Sequence, residues 1–173
     1  MNLKTYIPTG MVILFFYGNI SACSCIGEKA SIKNAFKRNE VVFIGKVINI
    51  EMVEILMELV PGAPKYTIPT YRHKVTFIIE KTYKGRIDTN YIEVITGVGG
   101  GDCGYLFEVD KSYAVYAERR SKYYNGDTRM DIHLYTDMCK RTTDDTISEK
   151  KEIEKYWTPG MAKDTGYIRE VFR

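Results

Sequence analysis

The two most closely spaced cysteines of the chain stand in Cys23-Ser24-Cys25, which follows a segment with the marks of an export signal. Lys4 gives a positive start, residues 11–17 a short apolar stretch, and Ile20-Ser21-Ala22 the small residues a signal peptidase accepts. Residues 1–22 are therefore expected to be removed, leaving Cys23 as the first residue. A terminal residue carries an α-amine beside its own carbonyl, and the two together can chelate a metal ion through a five-membered ring. The α-amine has an ordinary pKa of about 7.7–8.0, so a useful neutral fraction exists near neutral pH. The plainer reading is that bridged cysteines here only staple the chain end. A rival reading takes Ile20-Ser21-Ala22-Cys23 as a lipobox, in which Cys23 would carry a thioether-linked lipid and an acylated amine. That would forbid both the chelate and a Cys23 disulfide, and it would leave an odd number of thiols.

The remaining cysteines are Cys103 and Cys139. An even count in an exported chain reads as two disulfides, with three pairings open. A Cys23–Cys25 bridge is disfavoured because so tight a loop strains the bond geometry. Other constellations carry less. Gly97-x-Gly99-Gly100-Gly101 follows an expected strand, but the residues after it read as another strand, so there is no helix N-terminus to bind phosphate. A flexible loop around a bridged cysteine is expected instead. His73 and His133 have no partner at metal-ligand spacing and are expected on strand surfaces. Arg119-Arg120-x-Lys122-Tyr123-Tyr124 mixes basic and aromatic residues as single-strand nucleic-acid binders do, but a solvated hairpin tip suits an exported chain better. No nucleophile triad or carboxylate pair stands out, so no enzyme and no cofactor are expected.

The elements that would position Cys23 and Cys25 are mostly strands. Residues 30–38 predict a short helix: Ile32, Ala35 and Phe36 share one face, Lys33, Lys37 and Arg38 the other, and Ser31 caps it. Residues 41–50 are dense in β-branched side chains and predict a strand. Residues 51–70 are apolar without a clean period and are interrupted by Pro61-Gly62-Ala63-Pro64, which predicts a long hairpin extension or a loop. Strands follow at 71–83, with Val75, Phe77 and Ile79 alternating, and at 91–96, 105–109, 112–117 and 131–135. Lys84-Gly85 and Asn125-Gly126-Asp127 read as turns. Residues 146–156 predict a second helix, with Thr146-x-x-Glu149 as a capping box and Ile153, Tyr156 and Trp157 as its apolar stripe, ended by Thr158-Pro159-Gly160. Five or six short strands with two helices predict a mainly β fold closed into a small barrel. The apolar stretch near the start is far shorter than the roughly 20 residues of a membrane-spanning helix. A net charge of +3 is too balanced to argue for nucleic acid or an anionic membrane as a partner. After the signal, the roughly 150 residues left suit one domain and are expected to act as a monomer.

Taken together, several segments resemble one family, the tissue inhibitors of metalloproteinases within the netrin-like superfamily, in a bacterial-type single-domain version. The start Cys23-Ser24-Cys25-Ile26 resembles their Cys-x-Cys terminus. Residues 35–47, ending Val42-Phe43-Ile44-Gly45-Lys46-Val47, resemble their first helix and strand, and Glu80-Lys81-Thr82-Tyr83-Lys84-Gly85 their second strand and turn. Asp102-Cys103-Gly104-Tyr105 resembles their Cys-Gly-Tyr loop, and Tyr135-Thr136-Asp137-Met138-Cys139 the strand end bearing a partner cysteine. The likeness is strongest over 23–140 of a domain spanning 23–173. It implies an OB-fold barrel with two flanking helices and the pairs Cys23–Cys103 and Cys25–Cys139. It also implies an exported inhibitor, extracellular or in the cell envelope, whose partner is a zinc metalloprotease. The Cys23 amine and carbonyl would bind the protease's zinc, Ser24 would enter its specificity pocket, Cys25 and Ile26 would continue the protease-binding wedge, and Gly101, Asp102, Gly104 and Tyr105 would flank the cleft. The family's third disulfide and cysteine-rich C-terminal domain are absent, and Gly27 stands where the animal proteins favour proline. The alternative is a netrin-like binding module without inhibitory activity, at the membrane only if Cys23 is lipidated.

Overall fold

A computed structural model of the chain describes residues 23, 25, 29–58, 67–120, 123–125, 128–129 and 133–156. The fold is mainly β. In chain order the elements are α1 (Ile32–Arg38), β1 (Val41–Glu58), β2 (Thr67–Lys84), β3 (Tyr91–Thr96), a single 3-10 turn (Gly100–Asp102), β4 (Ser112–Arg120), β5 (Tyr123–Asn125), β6 (Thr128–Arg129), β7 (His133–Tyr135) and α2 (Thr146–Tyr156). β1 pairs with both β2 and β4, and the order β2-β3-β7-β4-β1 closes five strands into a ring. All contacts in the ring are antiparallel except β3 with β7, which meet in parallel at Ile95 and Tyr135. Because β3 and β7 run the same way, the loops that follow them leave from the same end of the ring. Those loops carry Cys103 and Cys139.

The apolar runs of β1 and β4 are explained by burial on both faces. Val41, Phe43 and Val47 of β1 and Tyr113, Val115 and Ala117 of β4 point into the ring, where they meet Val75, Phe77, Ile92, Val94, Phe107 and Leu134. The alternate residues Val42, Ile44, Ala114 and Tyr116 point outward and are covered by Ile32 and Ala35 of α1 and Ile153 of α2. Gly45 lets β2 come close, since a Cβ there would stand 2.8 Å from the Ile78 carbonyl oxygen. Lys84 at the end of β2 donates to the carbonyls of Phe36 and Asn39, closing the C-terminus of α1 with a cation.

The expected helices are present, and Ser31 accepts from the Asn34 N–H at the start of α1. The segment 51–70 is a hairpin extension: β1 runs on to Glu58 and β2 begins at Thr67, in continuous register from Glu51–Lys74 to Glu58–Thr67. Its Pro61-Gly62-Ala63-Pro64 interruption lies outside the described residues, as do Gly126 and Asp127 of the second turn, Trp157, and the Thr158-Pro159-Gly160 stop.

Three expectations need correction. Residues 105–109 form no strand: their N–H groups turn to side chains, Tyr105 to the Thr96 hydroxyl and Glu108 to the Tyr113 hydroxyl, and Phe107 plugs the core. The capping box at Thr146 is replaced by Asp145, whose carboxylate accepts from the Ser148 N–H at 3.1 Å, while Glu149 turns inward. Tyr156 lies exposed, leaving Ile153 as the buried residue of the expected α2 stripe.

Candidate functional site

Both N-terminal cysteines are bridged to the loops at one end of the ring: Cys23 to Cys103 and Cys25 to Cys139, each with Cα atoms 5.2 Å apart. These are the pairs implied by the resemblance. The two anchor loops also touch each other, because the Met138 N–H donates to the Cys103 carbonyl at 2.9 Å. The Cys139 turn is built around Asp137, whose carboxylate accepts from the N–H groups of Cys139 and Lys140. Its two flanks are fixed beneath by Thr136 and Thr142. Their hydroxyls meet at 2.8 Å, Thr136 donates to the Tyr116 carbonyl and Thr142 accepts from the Tyr116 N–H. The segment that holds Cys23 and Cys25 is thus tied twice to a braced platform.

The other anchor loop is closed around one carboxylate. Asp102 accepts from the N–H groups of Val98, Gly99 and Gly104 at 2.9–3.1 Å and pairs with the Arg72 guanidinium at 3.2 Å. Burial pushes the Asp102 carboxyl up, but the three N–H donors and the Arg72 charge outweigh it and hold it below the usual carboxylate range. The glycines are what permit this closure. A Cβ on Gly97 would stand 2.4 Å from Asp102 Oδ1, and one on Gly104 would stand 2.2 Å from the backbone of Gly97. The expectation of a flexible loop is therefore corrected: the glycines let the chain fold tightly over Asp102. Beyond Gly104, the Tyr105 ring joins a chain of aromatic contacts through Phe107 to Phe77 and Phe43 in the core. Burial, with Asp144 adding, pushes the Tyr105 hydroxyl up to about 12, so it stays protonated.

Of the residues expected at the site, Cys23, Cys25, Gly101, Asp102, Gly104 and Tyr105 gather at this end of the ring. Ser24 and Ile26 lie outside the described residues. Gly101 is exposed, whereas Gly104 is buried and supports the loop from beneath. Sequence reasoning missed Arg72, which reaches Asp102 only because His73 of β2 pairs with Thr96 of β3, just before the loop. It also missed an exposed apolar fringe of Val98, Leu106 and Met138. Leu106 is 67% exposed, and its side chain lies over Gly99. The adjacency of Val98 and Leu106 to the glycine run and to Cys-Gly-Tyr was the available signal.

His73 and His133 sit half-buried in β2 and β7. Arg120 is not part of a solvated basic tip: it stacks 3.7 Å above the Tyr135 ring and pairs with Glu118. Among the described residues, the sulfurs of Cys23, Cys103 and Cys139 lie within 4.8 Å of one another, but as disulfides they offer no thiolate to a metal. No helix among the described residues is long and apolar enough to cross a membrane. Two disulfides fit an oxidising compartment. A scan of protein-family models gave no match to this chain, and a search of curated proteins gave none either.

Proposed function

We propose that the chain is an exported inhibitor of zinc metalloendopeptidases, built on an OB-type netrin-like barrel and acting through its N-terminal cysteine as the tissue inhibitors of metalloproteinases do. The observation that carries this reading is the double tether of Cys23 and Cys25 onto two loops that are themselves hydrogen-bonded together. A signal cleaved before Cys23 would leave its α-amine and carbonyl on a rigid support. Those two atoms would displace the water on the protease's zinc, removing the nucleophile the metal generates. Ser24 would enter the specificity pocket, and Gly101, Asp102 and Tyr105 would border the cleft. Ordering the wedge before binding lowers the entropic cost of association. The Cys23–Cys103 bridge weighs against a lipid anchor, because a thioether on that sulfur would exclude it.

The test is a chain beginning with one extra alanine before Cys23, assayed against secreted zinc endopeptidases beside the chain that begins at Cys23. Inhibition by the shorter chain and none by the extended one is expected, because the extra residue moves the amine off the metal. Equal inhibition by both would overturn the mechanism, and inhibition by neither would overturn the reading.

A further inference from the structure

We propose that the four cysteines form a thiol–disulfide relay, in which a thiol reductant attacking the exposed Cys25–Cys139 bridge releases both Cys23 and Cys25 and leaves Cys103 joined to Cys139. The relay stands on the placement of the sulfurs and does not depend on what the N-terminal segment binds.

The two bridges differ in access. Cys25 and Cys139 are exposed, whereas Cys23 is 8% exposed and Cys103 half-buried. A reductant from solution therefore meets the Cys25–Cys139 bridge first. The bridges are also adjacent: the Cys139 sulfur lies within 4.8 Å of the sulfurs of both Cys23 and Cys103. That proximity is maintained by backbone, through the Met138-to-Cys103 hydrogen bond and the Asp137 turn. Exchange needs only a thiolate that can reach a disulfide sulfur, and rigid proximity raises the local concentration of that thiolate.

The steps balance as follows. A reductant thiolate attacks the Cys25 sulfur, the Cys25–Cys139 bond breaks, and Cys139 leaves as a thiolate while Cys25 holds the reductant as a mixed disulfide. The Cys139 thiolate attacks the Cys103 sulfur. The Cys103–Cys139 bond forms, the Cys23–Cys103 bond breaks, and Cys23 leaves as a thiolate and takes a proton. A second reductant thiol attacks the mixed disulfide and frees Cys25. Two reductant thiols have become one disulfide, and the protein has gained two electrons and two protons. One bridge remains, between the two loops at the end of the ring. The N-terminal segment has lost both tethers, so the buried bridge is opened without any reductant reaching it.

The folded, oxidised chain would be treated with a limiting amount of dithiothreitol in mildly alkaline buffer, near the thiol pKa of about 8.5. It would then be quenched with acid, alkylated, digested and mapped by mass. A linked Cys103–Cys139 peptide with Cys23 and Cys25 alkylated is the expected product. Partly reduced chains carrying only the Cys23–Cys103 link, with Cys25 and Cys139 alkylated, would overturn the relay. A Cys25→Ser variant, which keeps the buried bridge, makes an independent check because Cys139 is then a permanent thiol. Alkylation of the folded variant is expected to label Cys23 as well as Cys139. Labelling confined to Cys139 would also overturn it.

Discussion

At the scale of single residues, Asp102 determines the shape of the candidate site. Its carboxylate gathers three backbone N–H groups and one guanidinium. An asparagine keeps one acceptor oxygen and turns an NH2 toward groups that are themselves donors. Asp102→Asn is therefore expected to destabilise the fold by about 3 kcal/mol, the scale of charge-assisted hydrogen bonds lost from a partly buried site. Urea denaturation would measure it, and a loss near zero would mean the loop does not need the carboxylate. The same group predicts a pH dependence. Its folded pKa lies below the ordinary value, so its contribution is fully present above the unfolded pKa of about 3.9 and is lost as pH falls through the lower folded value. Between pH ~5 and ~7 it should add no slope to stability. The denaturation midpoint should fall on acidification below that window, and less steeply in Asp102→Asn than in the parent chain. An equal acid slope in both proteins would remove Asp102 as its source. The place of Asp102 in the loop beside the bridged Cys103 was legible from its position before Cys103-Gly104. Its role was not, because Arg72 stands thirty positions away and is brought to it by strand register.

The elements tell a similar story about α2. The helix was legible at both ends, but Thr146-x-x-Glu149 suggested a surface cap where the structure has a buried ion pair. Glu149 is 4% exposed and takes two bonds from the Arg141 guanidinium, at 2.6 and 2.9 Å, and one from the Tyr116 hydroxyl at 2.6 Å. Arg141 in turn donates to the Ala30 carbonyl just before α1, so a single guanidinium links both helices to the turn that carries Cys139. Local pattern cannot distinguish a glutamate that reaches back to its own N-terminus from one that turns into the protein. The difference lies in Arg141 and Tyr116, which the chain supplies from other elements. Removing the carboxylate strands a half-buried cation and the hydroxyl of a fully buried tyrosine, so Glu149→Ala should cost about 3–5 kcal/mol. Ile153→Ala, one turn further along the same face, should cost about 2–5 kcal/mol through the cavity it leaves. Chemical denaturation of the two single variants and the double would separate the causes. Additive losses would mean that the ion pair and the apolar contact dock α2 independently. The strands were more legible than this helix contact, because two-faced burial leaves continuous apolar runs, rich in β-branched residues in β1 and in tyrosine and alanine in β4. The segment 105–109 was misread for the opposite reason: Tyr105, Leu106 and Phe107 have strand-like composition, yet the segment bonds to side chains and uses Phe107 to close the core.

For the molecule as a whole, the thinnest join in the ring is the parallel contact of β3 with β7, supported by the Thr136 N–H donating to the Ile95 carbonyl at 3.0 Å. Both anchor loops leave from beside that join, so the bridges tie the N-terminal segment to the part of the ring with the fewest strand hydrogen bonds. Their sequence separations of 80 and 114 residues are long, and long loops lose the most entropy when closed. On the chain-entropy account each bridge contributes about 4–5 kcal/mol by restricting the unfolded chain, a large share of the roughly 5–15 kcal/mol that holds a domain folded. A Cys25→Ser, Cys139→Ser double variant removes the outer bridge without leaving an unpaired thiol. It is expected to lose up to that amount, lowering the melting temperature by about 10–15 °C while the strand content seen by circular dichroism is unchanged. The proposed wedge should suffer more than the fold does. With only Cys23 tethered, the residues after it are free to fray, so inhibition at room temperature should weaken at least tenfold in a protein that is still folded. If the double variant melts as predicted but inhibits as well as the parent, the outer bridge serves stability alone, and the rigidity of the N-terminus rests on Cys23 and Cys103.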